Sequence, residues 1–350
     1  MSDTQPLLSV EDLHVSFATE EGIVRAVDGV SFELAAGEVL AVVGESGSGK
    51  SVTAMTLMGL TRSPNARFEG TARFRGTELI EASEDELRQV RGAEIAMIFQ
   101  DPMTSLNPVQ RIGTQIVESI QAHEAVPDAQ ARERVVELLE KVGIPRARER
   151  IDSYPFEFSG GMRQRVMIAL ALSCDPSVLI ADEPTTALDV TIQAQILERI
   201  RQLREETNAA VILVTHDLGV VADIADRIAV MYAGRIVEQG TLDDIFYDPQ
   251  HPYTWGLLGS ITRVDRPRPE RLPAIAGLPP SLADRPEGCH FRPRCPHEFG
   301  KCSEVPPLEA RAADAPKHSD RCWLSVEQKR ELREVRPGEI GLPGKEDVPA

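Results

Sequence analysis

The fold of this chain is decided by the stretch Gly44-Glu45-Ser46-Gly47-Ser48-Gly49-Lys50-Ser51. It follows the apolar run Val39–Val43 and precedes Val52–Leu60, a segment with helical potential, so it is predicted to join a buried strand to a helix. Glycines allow successive backbone N–H groups and the helix N-terminus to surround a polyphosphate. In such a loop the lysine contacts the β- and γ-phosphates and the following hydroxyl binds Mg²⁺. The sequence therefore predicts a nucleoside triphosphate site rather than a plain glycine-rich turn.

Length and charge limit the other possibilities. A chain of 350 residues accommodates one large α/β domain and a smaller appendage. A net charge of −17 argues against nucleic acid or anionic lipid as the main partner. Residues 1–11 lack the basic and apolar segments of a secretory signal, and the apolar runs are too short to span a membrane. We therefore expect a cytosolic polypeptide, which a partner would have to hold at any membrane where it works.

Apolar runs and amphipathic segments alternate along the chain. Strands are predicted at Leu7–Phe17, Arg25–Leu34, Phe68–Phe74, Ile95–Phe99, Val178–Ala181 and Val211–Val214. Helices are predicted at Ile112–Leu139, with a break at Val126-Pro127-Asp128, and at Met162–Leu172 and Ile192–Thr207. This alternation predicts an α/β fold with a mixed, largely parallel sheet and helices on both of its faces.

The texture of the sequence changes after residue 262, where prolines become too frequent for a regular helix or a central strand. We therefore expect a nucleotide-binding domain over residues 1–262, with a helical subdomain at about residues 101–172. A small irregular C-terminal extension is expected over residues 263–335. Residues 336–350 are predicted to form a disordered tail.

A second chemical signal is the apolar run Val178–Ala181, which ends in Asp182 and Glu183. A buried strand of this kind can deliver two carboxylates into a phosphate site. Asp182 would then hold Mg²⁺ through its water shell, and Glu183 would orient or deprotonate the attacking water. The alternative is an acidic strand end that faces solvent.

A third signal, Phe158-Ser159-Gly160-Gly161-Met162-Arg163-Gln164-Arg165, precedes the acidic strand. Here the chain resembles the ATP-binding subunits of ABC transporters, whose signature is Leu-Ser-Gly-Gly-Gln. Ser159, Gly160 and Gly161 at a helix start provide a second anion site, and the resemblance implies that this site meets the γ-phosphate held by the opposite subunit. Phe158 and Met162 depart from the signature, and the glutamine is displaced to Gln164. This variant is similar to that of peptide importers.

The same resemblance implies roles for other residues. Gln100 closes a strand and opens a loop, Asp101–Pro108, that resembles the Q-loop, which senses Mg²⁺ and the membrane subunit. Ala187-Leu188-Asp189 resembles the D-loop, where Asp189 contacts the opposite site. His216 resembles the switch histidine that contacts the γ-phosphate, and Phe17 stands where the family stacks an aromatic ring on adenine. The alternatives are a polar loop, a structural histidine and an ordinary core phenylalanine.

The resemblance therefore implies an ABC-type translocase ATPase with ATP and Mg²⁺ as cofactors. Such a subunit lies peripherally at the cytoplasmic face of the cell membrane and powers import of dipeptides or oligopeptides by ATP-driven dimer closure. Its partners are two integral-membrane permeases, a second and paralogous ATPase subunit and, indirectly, an extracytoplasmic peptide-binding protein, without nucleic acid. The alternatives are a soluble ATPase of the superfamily with no role in transport, and an importer of nickel or another small solute.

The C-terminal extension contains four of the five cysteines, at positions Cys289, Cys295, Cys302 and Cys322. Disulfides are not expected in a reducing compartment, so four clustered thiols suggest a metal site. The spacing, however, lacks the Cys-x₂-Cys of structural zinc sites. Spacing alone therefore leaves two possibilities open, a metal site and incidental thiols. Tyr247–Thr254 and Ala274–Pro280 resemble the extension of peptide-importer ATPases, which implies a 4Fe–4S cluster on these cysteines, with zinc as the alternative. We expect three nearby histidines to lie at the surface rather than act as ligands: His290, His297 and His318.

Overall fold

The structure, a computed structural model, describes residues 5–101, 105–184, 190–260, 275–310 and 317–333. Its strands are β1 (Leu8–Thr19), β2 (Gly22–Leu34), β3 (Val39–Val43), β4 (Ala66–Phe74), β5 (Thr77–Glu78), β6 (Ile95–Ile98), β7 (Val178–Asp182), β8 (Ala210–Thr215), β9 (Arg227–Tyr232), β10 (Arg235–Thr241), β11 (Glu309–Ala310) and β12 (Ser319–Asp320). Its α-helices are α1 (Lys50–Leu57), α2 (Glu84–Val90), α3 (Ile112–His123), α4 (Asp128–Lys141), α5 (Ala147–Arg150), α6 (Gly160–Ala171), α7 (Val190–Thr207), α8 (Leu218–Ile224), α9 (Leu242–Tyr247), α10 (Pro252–Gly259) and α11 (Val326–Leu332). Short 3₁₀ turns occupy Pro155–Glu157, Arg292–Arg294 and Gly300–Ser303.

The chain separates into two compact units. The first is built mainly from Glu81–Val214 together with Ala35–Glu38, and the second from Leu7–Leu34, Val39–Ile80 and the chain from Thr215 onward. The C-terminal extension therefore belongs to the same unit as the glycine-rich loop, although the two are far apart in sequence.

The first unit contains three parallel strands. β7 pairs in parallel with β6 on one side and with β8 on the other. Every residue of β6, β7 and β8 is buried, as expected for strands covered on both faces. α3 and α4 replace the single predicted segment Ile112–Leu139, because the chain leaves the helix after His123 and Pro127 supplies the fixed φ of the α4 N-cap. The predicted break is confirmed.

The second unit combines antiparallel and parallel pairing. β1 pairs antiparallel with β2 and with β4, and β4 pairs with β5. In a second set of strands β3 pairs in parallel with β9, while β10 pairs antiparallel with β9. The extension continues this set, since β12 pairs antiparallel with β10 and β11 with β12. The predicted α/β fold with a mixed sheet is thus confirmed, although the sequence pattern did not reveal β9 or β10.

The described residues include no helix that is both long and apolar enough to cross a membrane. Several predicted features lie outside the described residues: part of the Q-loop at 102–104, the D-loop residues 187–189, the start of the extension at 263–274 and the tail at 336–350.

Candidate nucleotide site

The glycine-rich loop joins β3 to α1, as the sequence predicts, and two of its glycines lie too close to other backbone atoms to carry a side chain. Gly44 has φ +152°, and a Cβ built there would lie 2.2 Å from the carbonyl oxygen of Met231. Gly49, the N-cap residue of α1, has φ +102°, and a Cβ there would lie 2.4 Å from the carbonyl oxygen of Ala26. Both contacts are far inside van der Waals distance, so the path of the loop requires glycine at these positions.

The side chain of Lys50, at the end of the loop, folds back onto the start of the loop. Its Nζ donates hydrogen bonds to the carbonyl oxygens of Gly44 at 2.8 Å and Glu45 at 2.9 Å. The Lys50 side chain is buried, and Ser51 follows it as the second residue of α1. These two carbonyls therefore hold an ammonium group at the helix N-terminus, where the helix dipole also favours an anion.

The acidic end of β7 has an unusual backbone conformation. Asp182 is buried, and Glu183 adopts φ +47°, a left-handed conformation that costs a non-glycine residue about 1–3 kcal/mol. The N–H of Glu183 donates to the carbonyl oxygen of Val214 at 2.8 Å, and this bond helps to hold the conformation. Strain of this kind persists where the surrounding structure imposes it, and it is concentrated at functional sites.

Gln100 and Glu183 meet although 83 residues separate them in the chain. Gln100 follows β6 and Glu183 follows β7, and the parallel pairing of these strands brings their carboxyl ends to the same edge. The Gln100 amide Nε2 donates to Glu183 Oε2 at 3.1 Å. The structure thus joins two residues that the sequence predicted to act in hydrolysis, and it orients the carboxylate through a neutral donor.

The signature stretch caps α6. Ser159 is the N-cap residue, and its Oγ accepts a hydrogen bond from the N–H of Met162 at 3.4 Å. Ser159 and Gly160 are exposed, Gly161 is half-buried, and nothing lies within 4 Å of a Cβ built at Gly160. Phe158, which replaces the usual leucine, is buried and anchors the turn. The helix start is therefore open to an anion from outside this unit.

The displaced glutamine of the signature has a defined place. Gln164 is buried, and its Nε2 donates to the carbonyl oxygen of Pro184 at 2.7 Å. Pro184 directly follows Glu183, so Gln164 connects the signature helix to the acidic strand end. The sequence singled out this glutamine but gave it no role, because the contact depends on how α6 packs against β7.

Two other predicted residues are less enclosed. His216 follows β8 and is exposed. Phe17 lies on β1 opposite Val24 of β2 and is half-buried rather than fully enclosed. Asp189 lies outside the described residues. Their roles toward ATP remain predictions.

Sequence analysis missed two residues that contact the glycine-rich loop. Tyr253 of α10 accepts a hydrogen bond at its Oη from the N–H of Glu45 at 2.8 Å. Arg294 of the extension binds the Glu45 carboxylate, with its Nη1 at 2.6 Å from Oε2. More than 200 residues separate each of them from the loop, and no local pattern in the sequence indicates such a contact.

The four cysteines of the extension line one small cavity, whose interior volume is about 20 Å³. Burial raises the pKa of the Cys289 thiol, that of Cys295 to about 11 and that of Cys322 to about 12. Within the described part of the chain, no group of three or more His, Cys, Asp or Glu residues is arranged to hold a metal ion. A tetrahedral zinc site, which needs its ligands around one point, therefore does not fit this arrangement.

The prediction that the nearby histidines lie at the surface is wrong for two of them. His290 is buried with its Nδ1 at 3.1 Å from the carbonyl oxygen of Ala233, and burial lowers its pKa to about 4. His318 is buried with its Nε2 at 2.8 Å from Glu238 Oε1. His297 is half-buried. The extension packs against β9 and β10, and that long-range packing encloses both rings.

Comparison with known proteins identifies the class. Residues 27–186 match the family model of the ABC transporter, and residues 237–302 match that of the oligopeptide/dipeptide transporter C-terminal region. The chain is similar to two dimeric structures of the ATP-binding cassette MJ0796, one of them in a post-hydrolysis state bound to ADP and Pi. For that one the TM-score is 0.61 at 26% identity, over 67% of this chain and 98% of the other.

Longer matches come from curated relatives. The chain is 53% identical to the dipeptide transport ATP-binding protein DppD of Bacillus subtilis over 321 residues, which cover 91% of this chain and 95% of the relative. It is also 53% identical to the oligopeptide transport ATP-binding protein OppD of Salmonella typhimurium over 322 residues, with 92% and 95% covered.

Fold and site together define an ATPase of the ABC transporter class. Within that class, the chain belongs to the family of dipeptide and oligopeptide transport ATP-binding proteins.

Proposed function

We propose that this ATPase powers the import of dipeptides or oligopeptides through two integral-membrane permease subunits. The observation that carries the substrate class is the match of residues 237–302 to the C-terminal region of oligopeptide/dipeptide transporters. That region is additional to the nucleotide motifs, so it distinguishes this family from ABC ATPases in general. The subunit would work at the cytoplasmic face of the membrane, held there by the permeases.

The exposed signature helix supports a shared nucleotide site. Ser159 and Gly160 present a helix N-terminus to the outside, while the phosphate loop belongs to a different part of the chain. Each ATP would be bound by the loop of one ATPase subunit and by the signature of a second, paralogous one. Closure of the pair would place donors around the γ-phosphate before the reaction, and reopening would shift the permeases between conformations.

The proposed chemistry is hydrolysis by an oriented water. Glu183 would accept the proton of that water, Gln100 would keep the Glu183 carboxylate in place, and His216 would donate to the γ-phosphate. From the sequence, Ser51 and Gln100 would offer oxygen ligands to Mg²⁺, and Asp182 would hold the ion through its water shell. Bound there, Mg²⁺ would neutralise charge on the phosphate oxygens.

Uptake of labelled peptides tests the proposal. Cells that lack this gene should lose uptake of a labelled dipeptide or pentapeptide and regain it with the wild-type gene. Ser159→Arg should not restore uptake, although the purified variant still binds ATP, since Ser159 serves the opposite site. Loss of labelled nickel uptake with normal peptide uptake would favour the metal importer. Purification without membrane partners and normal uptake of both would favour a soluble ATPase.

We also propose that the four cysteines hold a 4Fe–4S cluster. What supports this proposal is the number and placement of the thiols, since a 4Fe–4S cluster is held by four cysteines and these four line one cavity. The cavity, at about 20 Å³, is smaller than a cubane, so its walls would have to move apart when the cluster binds. Protein purified without oxygen should be brown and contain about four irons per chain, and Cys295→Ser should remove the colour. Colourless protein with one zinc, or with four reactive thiols, would overturn the proposal.

A further inference from the structure

Arg294 of the extension makes a bidentate contact with the phosphate loop. Its Nη1 lies 2.6 Å from Glu45 Oε2 and its Nη2 lies 3.0 Å from Glu45 Oε1. The Arg294 side chain is 4% exposed, and its Nε donates to the carbonyl oxygen of Ala276 at 2.9 Å. A planar guanidinium paired in this way with a carboxylate is among the strongest and most directional contacts in proteins.

Glu45, the second residue of the loop, is held at three groups. Its carboxylate is bound by Arg294, its N–H donates to Tyr253 Oη at 2.8 Å, and its carbonyl oxygen accepts from Lys50 Nζ at 2.9 Å. Two of these three contacts come from the chain beyond residue 250, and the third comes from the lysine expected to contact the phosphates. Movement of Glu45 would therefore also move the carbonyl that positions Lys50.

Arg294 neutralises the negative charge of Glu45, which would otherwise repel a bound polyphosphate. A carboxylate in a loop that binds a polyphosphate repels the ligand, and repulsion between charges is strong where water is partly excluded. Burial opposes the charge of Arg294, but its hydrogen bonds to Glu45 and Tyr232 outweigh burial and raise its pKa. Arg294 therefore stays cationic, neutralises the carboxylate and keeps both of its oxygens engaged.

We propose that Arg294 is a positioning residue of the nucleotide site, through which the C-terminal extension sets the affinity of the phosphate loop for ATP. The inference rests on the assignment of Gly44–Ser51 as the phosphate loop. Arg294 directly precedes Cys295, so the extension that carries the cysteines also carries this contact. A disturbance of that turn would consequently reach the nucleotide.

Titration of purified full-length protein with Mg-ATP tests the proposal. Arg294→Ala should weaken binding about tenfold or more, since it removes a charge-assisted contact and leaves Glu45 unneutralised. Glu45→Gln alone should bind within about twofold of wild type, and adding it to Arg294→Ala should restore most of the affinity, because the repulsion is then gone. Arg294→Lys keeps the charge but loses the forked guanidinium, so its affinity for Mg-ATP should lie between those of wild type and Arg294→Ala.

Arg292→Ala is the matched control, because Arg292 lies in the same turn and pairs with Glu298 at 3.3 Å instead of with the loop. It should bind ATP as wild type does. Equal weakening in Arg294→Ala and in Arg294→Ala/Glu45→Gln would mean that Arg294 is only structural and would overturn the proposal, as would normal binding by Arg294→Ala. If Arg294→Ala unfolds, the same comparison is made with Arg294→Lys. Lys50→Ala tests the loop itself, and normal ATP binding by that variant would reject the loop assignment instead.

Discussion

The acidic end of β7 and the C-terminal extension are held in place by different physics. At the end of β7 the working side chains are set by main-chain geometry and neutral donors: the left-handed turn at Glu183, the amide of Gln100 and the amide of Gln164. In the extension the fixed points are buried charges, among them Lys329 on Asp320 and His318 on Glu238. The first arrangement places an uncharged amide beside the carboxylate that is proposed to accept a proton, whereas the second uses carboxylates as structural anchors.

Cationic and imidazole side chains of the extension offset the repulsion between two buried carboxylates. Glu238 of β10 and Asp320 of β12 are direct cross-strand partners, and both are buried. Like charges in this position destabilise a strand pair. Lys329 Nζ binds both oxygens of Asp320, at 2.6 and 2.7 Å, and His318 binds Glu238 at 2.8 Å. Each carboxylate thus has its own partner from the extension, the Lys329 ammonium for Asp320 and the His318 imidazole for Glu238.

The largest effect is expected at the end of β7. Glu183→Gln keeps the shape of the side chain and its contact distance to Gln100 but removes the base, so ATP turnover should fall about 10²–10⁴-fold with ATP binding retained. Steady-state hydrolysis and nucleotide binding measure the two quantities. Glu137→Gln, an exposed glutamate on α4, is the control and should behave as wild type. Wild-type turnover in Glu183→Gln would remove the catalytic assignment.

In the extension, by contrast, a substitution is expected to lower stability. Lys329→Met keeps the bulk of a fully buried side chain but strands the Asp320 carboxylate, and it should lower the free energy of unfolding by about 3–5 kcal/mol. Denaturant titration followed by the fluorescence of Trp255 and Trp323 reports on this unit. Arg330→Met, whose side chain is 56% exposed on the same helix, should cost far less. Equal losses in both variants would contradict the comparison.

The two regions also differ in how far the sequence predicts them. β3, β7 and the break at Pro127 follow from local patterns, because apolar runs and proline act on the residues around them. The placement of Glu183 beside Gln100 follows once β6 and β7 are taken as parallel neighbours. The contacts of Glu45 with Tyr253 and Arg294 do not follow, since they join distant segments through single side chains. The burial of His318 was missed for the same reason.

A smaller loss of turnover is expected for Gln164, and it would show whether this residue positions Glu183 or only stabilises the first unit. Gln164→Leu removes the donor to the Pro184 carbonyl while it keeps a buried side chain of similar size. Turnover should fall about tenfold because Glu183 is then less well fixed, with KM for ATP nearly unchanged. Gln202→Leu serves as the control for loss of an amide, since Gln202 is half-buried on α7 and its Nε2 donates to Glu198 at 3.1 Å. A loss of stability with normal turnover would show that Gln164 only supports the packing of α6.

The smallest expected effect is a pH dependence carried by the extension. Burial opposes charge on His318, but the hydrogen bond and the charge of Glu238, with Asp244 and Asp248 nearby, raise its pKa above the ordinary 6.5. Its stabilising contribution is therefore complete below about pH 6.5 and is lost as the pH rises through the raised value. Burial lowers the pKa of His251 to about 3 and of His290 to about 4. These two rings therefore make the folded state more stable as the pH rises, which is the opposite trend to that of His318. Comparison of wild type with His318→Gln cancels their effect: the stability difference between the two proteins should shrink as the pH is raised from 6 to 9. A difference that stays constant over this range would mean that the pKa of His318 is the same in the folded and the unfolded protein, and a difference that grows with pH would mean that His318 is neutral in the folded protein. Either result would leave Glu238 stabilised by hydrogen bonds alone, including the N–H of His251 at 2.9 Å.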